Sequence, residues 1–330
     1  MSHRAASTPR DGGAALLSVL MLVAAMSVAA LIAVEAIARA TDLARLTRDR
    51  GEAHWITVSA ETVGVAVVED ILAKTQGRLS EATPGLDEPF RFSVDRGVVT
   101  LRVREASNCF NLNALAEPGE RGWNIVESEL AAYKRLFIAL GFGTYETDLY
   151  GDSLADWIDS DSLSRGNGAE DAYYGDLAVP YRTASTPLEN VRELRAIGPY
   201  TPEIIALLEP LVCVRPNFEQ SKLNLNTLTE RQAPLLTALV SEDLSPESAL
   251  DLMSRRPATG WFTTEAFLQE PELTVLASES LRIGTISVET THFLVEGRVN
   301  ISGLEIPFEY LYGPGEQSAV QLLWRRKGED

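Results

Sequence analysis

The sequence predicts an α+β protein: a long N-terminal helix that starts in a membrane and ends packed on an antiparallel sheet, with a large all-α insert between the strands. Three observations predict it. An uncharged run of about 21 residues, from Ala14 to Val34, passes without a proline into a further helical pattern. Alternating, strand-like segments stand both before residue 107 and after residue 282. Between them, helix-like stretches dominate.

The first element is the membrane helix. Met1 to Gly13 is polar and carries Arg4 and Arg10, which favour a cytoplasmic N-terminus and leave the rest of the chain in the periplasm. The apolar run can cross about 30 Å of hydrocarbon as a helix. A cleaved secretory signal has a shorter apolar core and an A-x-A-like site. A plain signal anchor is one alternative. A class III (prepilin) leader is the other, because Gly13 stands just before the apolar run, where such leaders are cut. The expected layout is a leader over 1–13, a single-pass transmembrane helix over 14–40, and an amphipathic helix with a first hairpin over 41–106. Trp55, Val58, Thr62, Val65 and Leu72 share one helical face and are the expected packing face. A helix half in lipid and half under a globular head is the plan of a pilin.

The first strands follow a Gly- and Pro-bearing loop, 77–89. Phe90, Phe92 and Val94 alternate, as do Val99, Leu101 and Val103, and the turn Asp95-Arg96-Gly97 between them predicts a hairpin. The insert is expected over 107–282, with helices at 127–140, 153–158, 187–196, 202–211, 229–240 and 246–255. Pro202 and Pro246 each follow Thr or Ser, which is a sound helix start. Two short segments echo each other, Phe110-Asn111-Leu112-Asn113 and Leu223-Asn224-Leu225-Asn226, and Asn113 and Asn226 are the expected N-caps. Strands over 283–330, starting with Ile283–Val288, complete a sheet shared with the first hairpin. Separate domains are the other arrangement of the same pattern.

Chemistry-bearing residues are few. At a net charge of -18 the surface repels phosphate backbones, so no nucleic-acid partner is expected, and protein partners and hard cations are favoured. Cys109 and Cys213, the two cysteines, form no CxxC; in an exported chain they predict one disulfide, a structural staple of the insert rather than a redox site. The segment 152–176 gathers seven carboxylates against Arg165. Asp159, Asp161, Glu170 and Asp171 on its Gly-bearing loop are candidate calcium ligands, although EF-hand spacing fails and a merely solvated acidic loop is the alternative. Gly151-Asp152-Ser153-Leu154 spells an esterase signature, but in mid-chain and without the late Asp-x-x-His. His3, His54 and His292 lack zinc-ligand spacing. No nucleophile–base pair can be drawn, so no enzymatic activity is expected. Leu194 to Val214 is similar to a helix-hairpin-helix, which gives a membrane-anchored DNA-uptake protein as the second reading; its hairpin carries no basic cluster.

Gly13 followed by AALLSVLMLV, then NCFNLNAL, LADWIDSD, NGAEDAYY and KLNLNTL in that order, resembles the K subunit of the type II secretion (general secretion pathway) pseudopilins over essentially the whole chain. The resemblance implies a pilin-like fold with a helical insert, anchored in the inner membrane at the tip of a periplasmic pseudopilus. It implies assembly with minor pseudopilins I and J (and H), cleavage at Gly13–Ala14 by a prepilin peptidase, N-methylation of Ala14, and contact with secreted exoproteins. It also implies that the acidic loop binds calcium. Most pilins carry Glu at the fifth mature position; here that residue is Ser18, an absence that marks the K family.

Overall fold

The computed structural model describes residues 12–315 and 319–327; residues 1–11 of the expected leader lie outside that range. Helix α1 runs from Gly12 to Thr75, 64 residues without a break, or about 96 Å at 1.5 Å per residue. Over its apolar part every described side chain is exposed, as a lipid-facing helix requires. Ser18 and Ser27 donate to the carbonyls of Ala14 and Val23, four residues back, at 2.9 and 2.8 Å. No hydroxyl of that segment therefore meets hydrocarbon unpaired.

The lower half of α1 is buried on one side only. Ala53, Thr57, Ala60, Gly64, Val68 and Ile71 recur at spacings of three and four and face inward. This overlaps the expected face only in part: Val65 and Leu72 are half-buried against the core. Trp55 is 69% exposed, and Thr62 is exposed too. Over Ala53 to Gly64 the seam is made of small residues, which let the helix backbone approach the sheet, and larger ones, Val68 and Ile71, follow below. A Cβ at Gly64 would stand 2.8 Å from the Tyr312 hydroxyl. That hydroxyl donates to the Glu61 carbonyl at 2.8 Å, and Tyr310 donates to the Thr57 carbonyl.

Strands β1 (Pro89–Val94) and β2 (Gly97–Glu105) form the expected hairpin, with Phe92 opposite Val99 and Phe90 opposite Leu101. Arg96 at its turn bridges to Asp49 and Glu52 of α1, both at 2.8 Å. The chain then leaves the sheet. β3 (Phe110–Asn111) is followed by a hairpin, β4 (Ala116–Gly119) and β5 (Gly122–Ile125). Helices α2 (Glu127–Ala139), α3 (Thr144–Ile158), α4 (Asp171–Gly175) and α5 (Pro202–Leu208) come next. β6 (Val212–Cys213) closes this half by pairing parallel with β3. β7 (Leu223–Asn224) opens a second half containing α6 (Pro234–Leu239), α7 (Pro246–Ser254), α8 (Thr264–Leu268) and α9 (Pro271–Thr274). β8 (Ile286–Ser287) closes it by pairing parallel with β7. The sheet then resumes with β9 (Phe293–Ile301), β10 (Leu304–Pro314) and β11 (Val320–Lys327), giving the antiparallel order β1-β2-β9-β10-β11.

Several local readings change. The segment 283–288 does not join the main sheet: 283–285 is a 3-10 turn and only Ile286–Ser287 pair, inside the insert. α3 starts at Thr144, well before Ser153, and 187–196 contains only a 3-10 turn, Val191–Ala196. The two Asn-Leu-Asn segments are not capped at their second asparagine. Asn111 caps the first turn, accepting from Asn113 N, and Asn224 likewise accepts from Asn226 N at 2.9 Å. Asn113 and Asn226 instead clamp distant backbone, at Leu188 and Arg215 in one half and at Trp261 in the other. A buried side-chain amide must find partners somewhere, and here it joins loops that sequence proximity does not.

Two cores result, one between α1 and the sheet and one inside the insert. In the first, Phe308 is 1% exposed and lies over Gly297, where an added Cβ would stand 2.1 Å from its ring. Replacing Phe308 with Ala is expected to cost about 3–5 kcal/mol of head stability in chemical denaturation. Trp55→Ala is expected to cost under about 0.5 kcal/mol, since Trp55 lies off the seam.

Candidate metal centre

The last turns of α3 place Asp152, Asp156 and Asp159 on one helix face, at spacings of four and three. The first two fasten the loop that follows. Asp152 accepts from Lys134 Nζ at 2.8 Å and from Asn167 N at 3.2 Å. Asp156, fully buried, accepts from Arg165 N at 3.0 Å and from Ser164 Oγ at 3.3 Å. Gly168 makes the closure possible: a Cβ there would stand 1.9 Å from Asp156 Oδ2. The folded-back loop delivers Asp161 and Glu170 to Asp159, and one oxygen from each lies within 4.8 Å of the others.

Among these three, Asp159 and Glu170 are buried and Asp161 is exposed. Asp159 Oδ1 and Glu170 Oε1 are buried without a hydrogen-bond partner. Burial, reinforced by the neighbouring carboxylates Asp161 and Asp156, pushes Asp159 up to about 6. Burial, reinforced by Asp159 and Asp156, pushes Glu170 up to about 7. Orphaned buried carboxylate oxygens are costly. A hard divalent cation with all-oxygen ligands removes that cost, and the residues fit calcium on this ground. The aromatic rings of Trp157, Tyr174 and Tyr181 pack together, the first two edge to face with centroids 5.3 Å apart.

The fourth candidate, Asp171, is not part of the cluster. Its Oδ1 accepts from Thr183 N at 3.0 Å and Thr183 Oγ1 at 3.1 Å, and its Oδ2 faces Arg182. Sequence reasoning also missed that Asp152 and Asp156 are loop fasteners; their i, i+4 spacing was the available signal. Ser153 of the esterase-like tetrapeptide is buried inside α3 and donates to the Asn167 carbonyl at 3.5 Å. His292 sits elsewhere, between β8 and β9, with Nδ1 2.8 Å from Thr291 Oγ1. In the hairpin-like segment, Gly198 N donates to the Tyr174 hydroxyl at 3.4 Å. Gly13 and Ala14 lie in the first turn of α1. Cys109 and Cys213 are joined by a disulfide across the β3–β6 pair, with Cα atoms 5.7 Å apart.

Two expectations follow from this geometry. Asp161→Asn and Glu170→Gln should each weaken calcium binding by more than about tenfold in isothermal titration, whereas Asp171→Asn should leave it nearly unchanged. Because Asp159 and Glu170 are raised, the metal-free fold holds protons that the unfolded chain has released above about pH 4. That contribution to stability is present at low pH and is lost as pH rises through 6 and 7. The difference in melting temperature between calcium and chelator should therefore grow from pH 5 to pH 7.5, and Asp159→Asn should flatten it.

Models of the family described as type II secretion system (T2SS), protein K, match residues 108–217 and 223–289. The first match spans the insert from β3 to β6 and the second from β7 to β8. Type II secretion system protein K of Pectobacterium carotovorum subsp. carotovorum is 31% identical over 321 residues, covering 97% of each chain. That of Klebsiella pneumoniae is 33% identical over 264 residues, 80% of this chain and 81% of its own. A solved structure of the GspK-GspI-GspJ complex from the enterotoxigenic Escherichia coli type 2 secretion system contains a chain that matches with a TM-score of 0.72 at 27% identity. The match covers 87% of this chain and 99% of that one. A helix running from an apolar span into a five-stranded head, an insert held by a disulfide, and these likenesses over nearly the full length agree: the chain belongs to the type II secretion system protein K family.

Proposed function

We propose that this chain is a non-enzymatic tip subunit of the type II secretion pseudopilus, assembling with minor pseudopilins I and J, and with H, to initiate the pseudopilus and support export of folded proteins. The observation that carries this reading is α1 itself: one helix of 64 residues, lipid-compatible at its start and packed on the sheet at its end. A subunit built so can be held in the inner membrane during assembly and drawn outward without refolding. The likeness to a chain solved together with GspI and GspJ supports the choice of partners.

Ser18 supports a terminal position. In a filament, a Glu at that place would pair with the amine of a neighbouring subunit's first residue; a serine in a low-dielectric span neither needs nor offers such a partner. Its hydroxyl is already turned onto the Ala14 carbonyl. In this reading a prepilin peptidase removes residues 1–13, Ala14 is methylated, and the head and insert stand in the periplasm. Calcium, held by Asp159, Asp161 and Glu170, fastens the acidic loop as a structural ion. Exoproteins are the cargo that the tip engages.

Mass spectrometry of the protein recovered from a host with an active leader peptidase tests the class. A chain beginning at Ala14 with one added methyl group is expected; retention of residues 1–13 would contradict the reading. Co-expression with I and J tests the assembly, with a stable complex of the three expected in detergent.

A further inference from the structure

The two sulfurs of the Cys109–Cys213 disulfide stand in unequal surroundings. Cys109 is buried, 8% exposed, and Cys213 is half-buried at the edge of β6. Arg215, only 1% exposed, donates from Nη2 to Cys109 Sγ at 3.3 Å and to the Ala106 carbonyl. Its Nε and Nη1 are buried without a hydrogen-bond partner. The charged group opposing it is Glu105, whose own carboxyl is pushed up by burial. His292, close enough to feel the Arg215 charge, is held down to about 3, first by burial and then by Arg215, and is neutral. Arg215 is thus the one cation placed on this bond among the described residues, and it sits on one sulfur only. Neither the metal centre nor the membrane anchor uses it.

We propose that this bond is an exchange site rather than an inert staple, with Cys213 as the sulfur attacked by an external thiol and Cys109 as the leaving thiolate. In the opening direction an incoming thiolate attacks Cys213 Sγ and a mixed disulfide forms there. The Cys109–Cys213 bond breaks, and its electron pair leaves on Cys109, where the Arg215 guanidinium receives it. In the closing direction the Cys109 thiolate attacks the mixed disulfide at Cys213 and expels the external thiolate. The direction follows from two general rules. A thiolate beside a buried cation is stabilised, and the thiol of lower pKa leaves faster. Access favours the same assignment, since Cys213 is the more exposed residue of the two.

The consequence is local. The bond ties β3 to β6 across a sequence separation of 104, and Arg215 also reaches Ala106 in the connection from β2. Opening it frees the start of the insert from the end of its first half.

Reduced glutathione is the probe. The folded, full-length protein in detergent is exposed to it, quenched with iodoacetamide, and digested for mass spectrometry. Glutathione on Cys213 with alkylated Cys109 is expected to exceed the opposite pattern by about threefold or more, the effect of one pKa unit between the two leaving groups at a Brønsted coefficient of about 0.5. Equal labelling, a preference for Cys109, or no exchange before denaturation would overturn the proposal. A second readout is the thiolate absorbance of Cys109 in the Cys213→Ser variant. Its midpoint should lie below the ordinary value of about 8.5 and should rise on Arg215→Met but not on Arg215→Lys. A midpoint at or above 8.5 counts against it. The wild-type labelling pattern decides the matter even if the variant does not fold.

Discussion

The close seam between α1 and the sheet is the contact on which the rest of the molecule depends. Its closest stretch is made from Ala53, Thr57, Ala60 and Gly64 rather than from large side chains. Small residues bring the helix backbone within reach of two tyrosine hydroxyls, which bond directly to its carbonyls. Helix and sheet are thereby fixed in register as well as in contact. Because the same helix continues without a break into the apolar span, the head is held at a set distance and orientation from the membrane. A flexible linker would give tethering without orientation.

The insert is possible because β2 and β9 are antiparallel neighbours, with Glu105 opposite Phe293. A chain that leaves after β2 and returns into β9 begins and ends at one place. Ser107 Oγ holds that place closed, accepting from Thr291 N and His292 N at 3.0 and 3.1 Å. Asn108 and Asn224 then tie the two halves of the insert to each other. Within the first half the acidic loop is pulled down by Asp152 and Asp156, and the folding energy of that closure crowds three further carboxylates together. The cation proposed there would relieve the crowding and couple ion binding to local folding.

Much of this was legible in the sequence. The long apolar run and the absence of proline over α1 dictated a continuous helix, and alternation dictated the β1–β2 hairpin. The acidic loop and the cysteine pair were also visible. What could not be read was set by tertiary contact. The packing face of α1 was in part misplaced because hydrophobic periodicity points to Trp55, which is exposed, while the close approach is made by alanines and a glycine. The β4–β5 hairpin is held by a pairing too brief to leave a pattern, and the strand expected at 283–288 finds its partner in the insert, which alternation cannot foretell. Asp171 looks like a ligand by composition, yet Thr183, twelve residues later, turns it away. Arg215 gave no signal at all, since nothing local marks an arginine as buried.

A single rigid helix carries the head out of the membrane. Spin labels on cysteines introduced at Ala38 and Ala66, both exposed, measure this directly. Twenty-eight residues of unbroken helix predict one narrow distance distribution near roughly 42 Å in detergent or nanodiscs. A broad distribution, or a population at markedly shorter distance, would show a hinge between span and head and contradict the account.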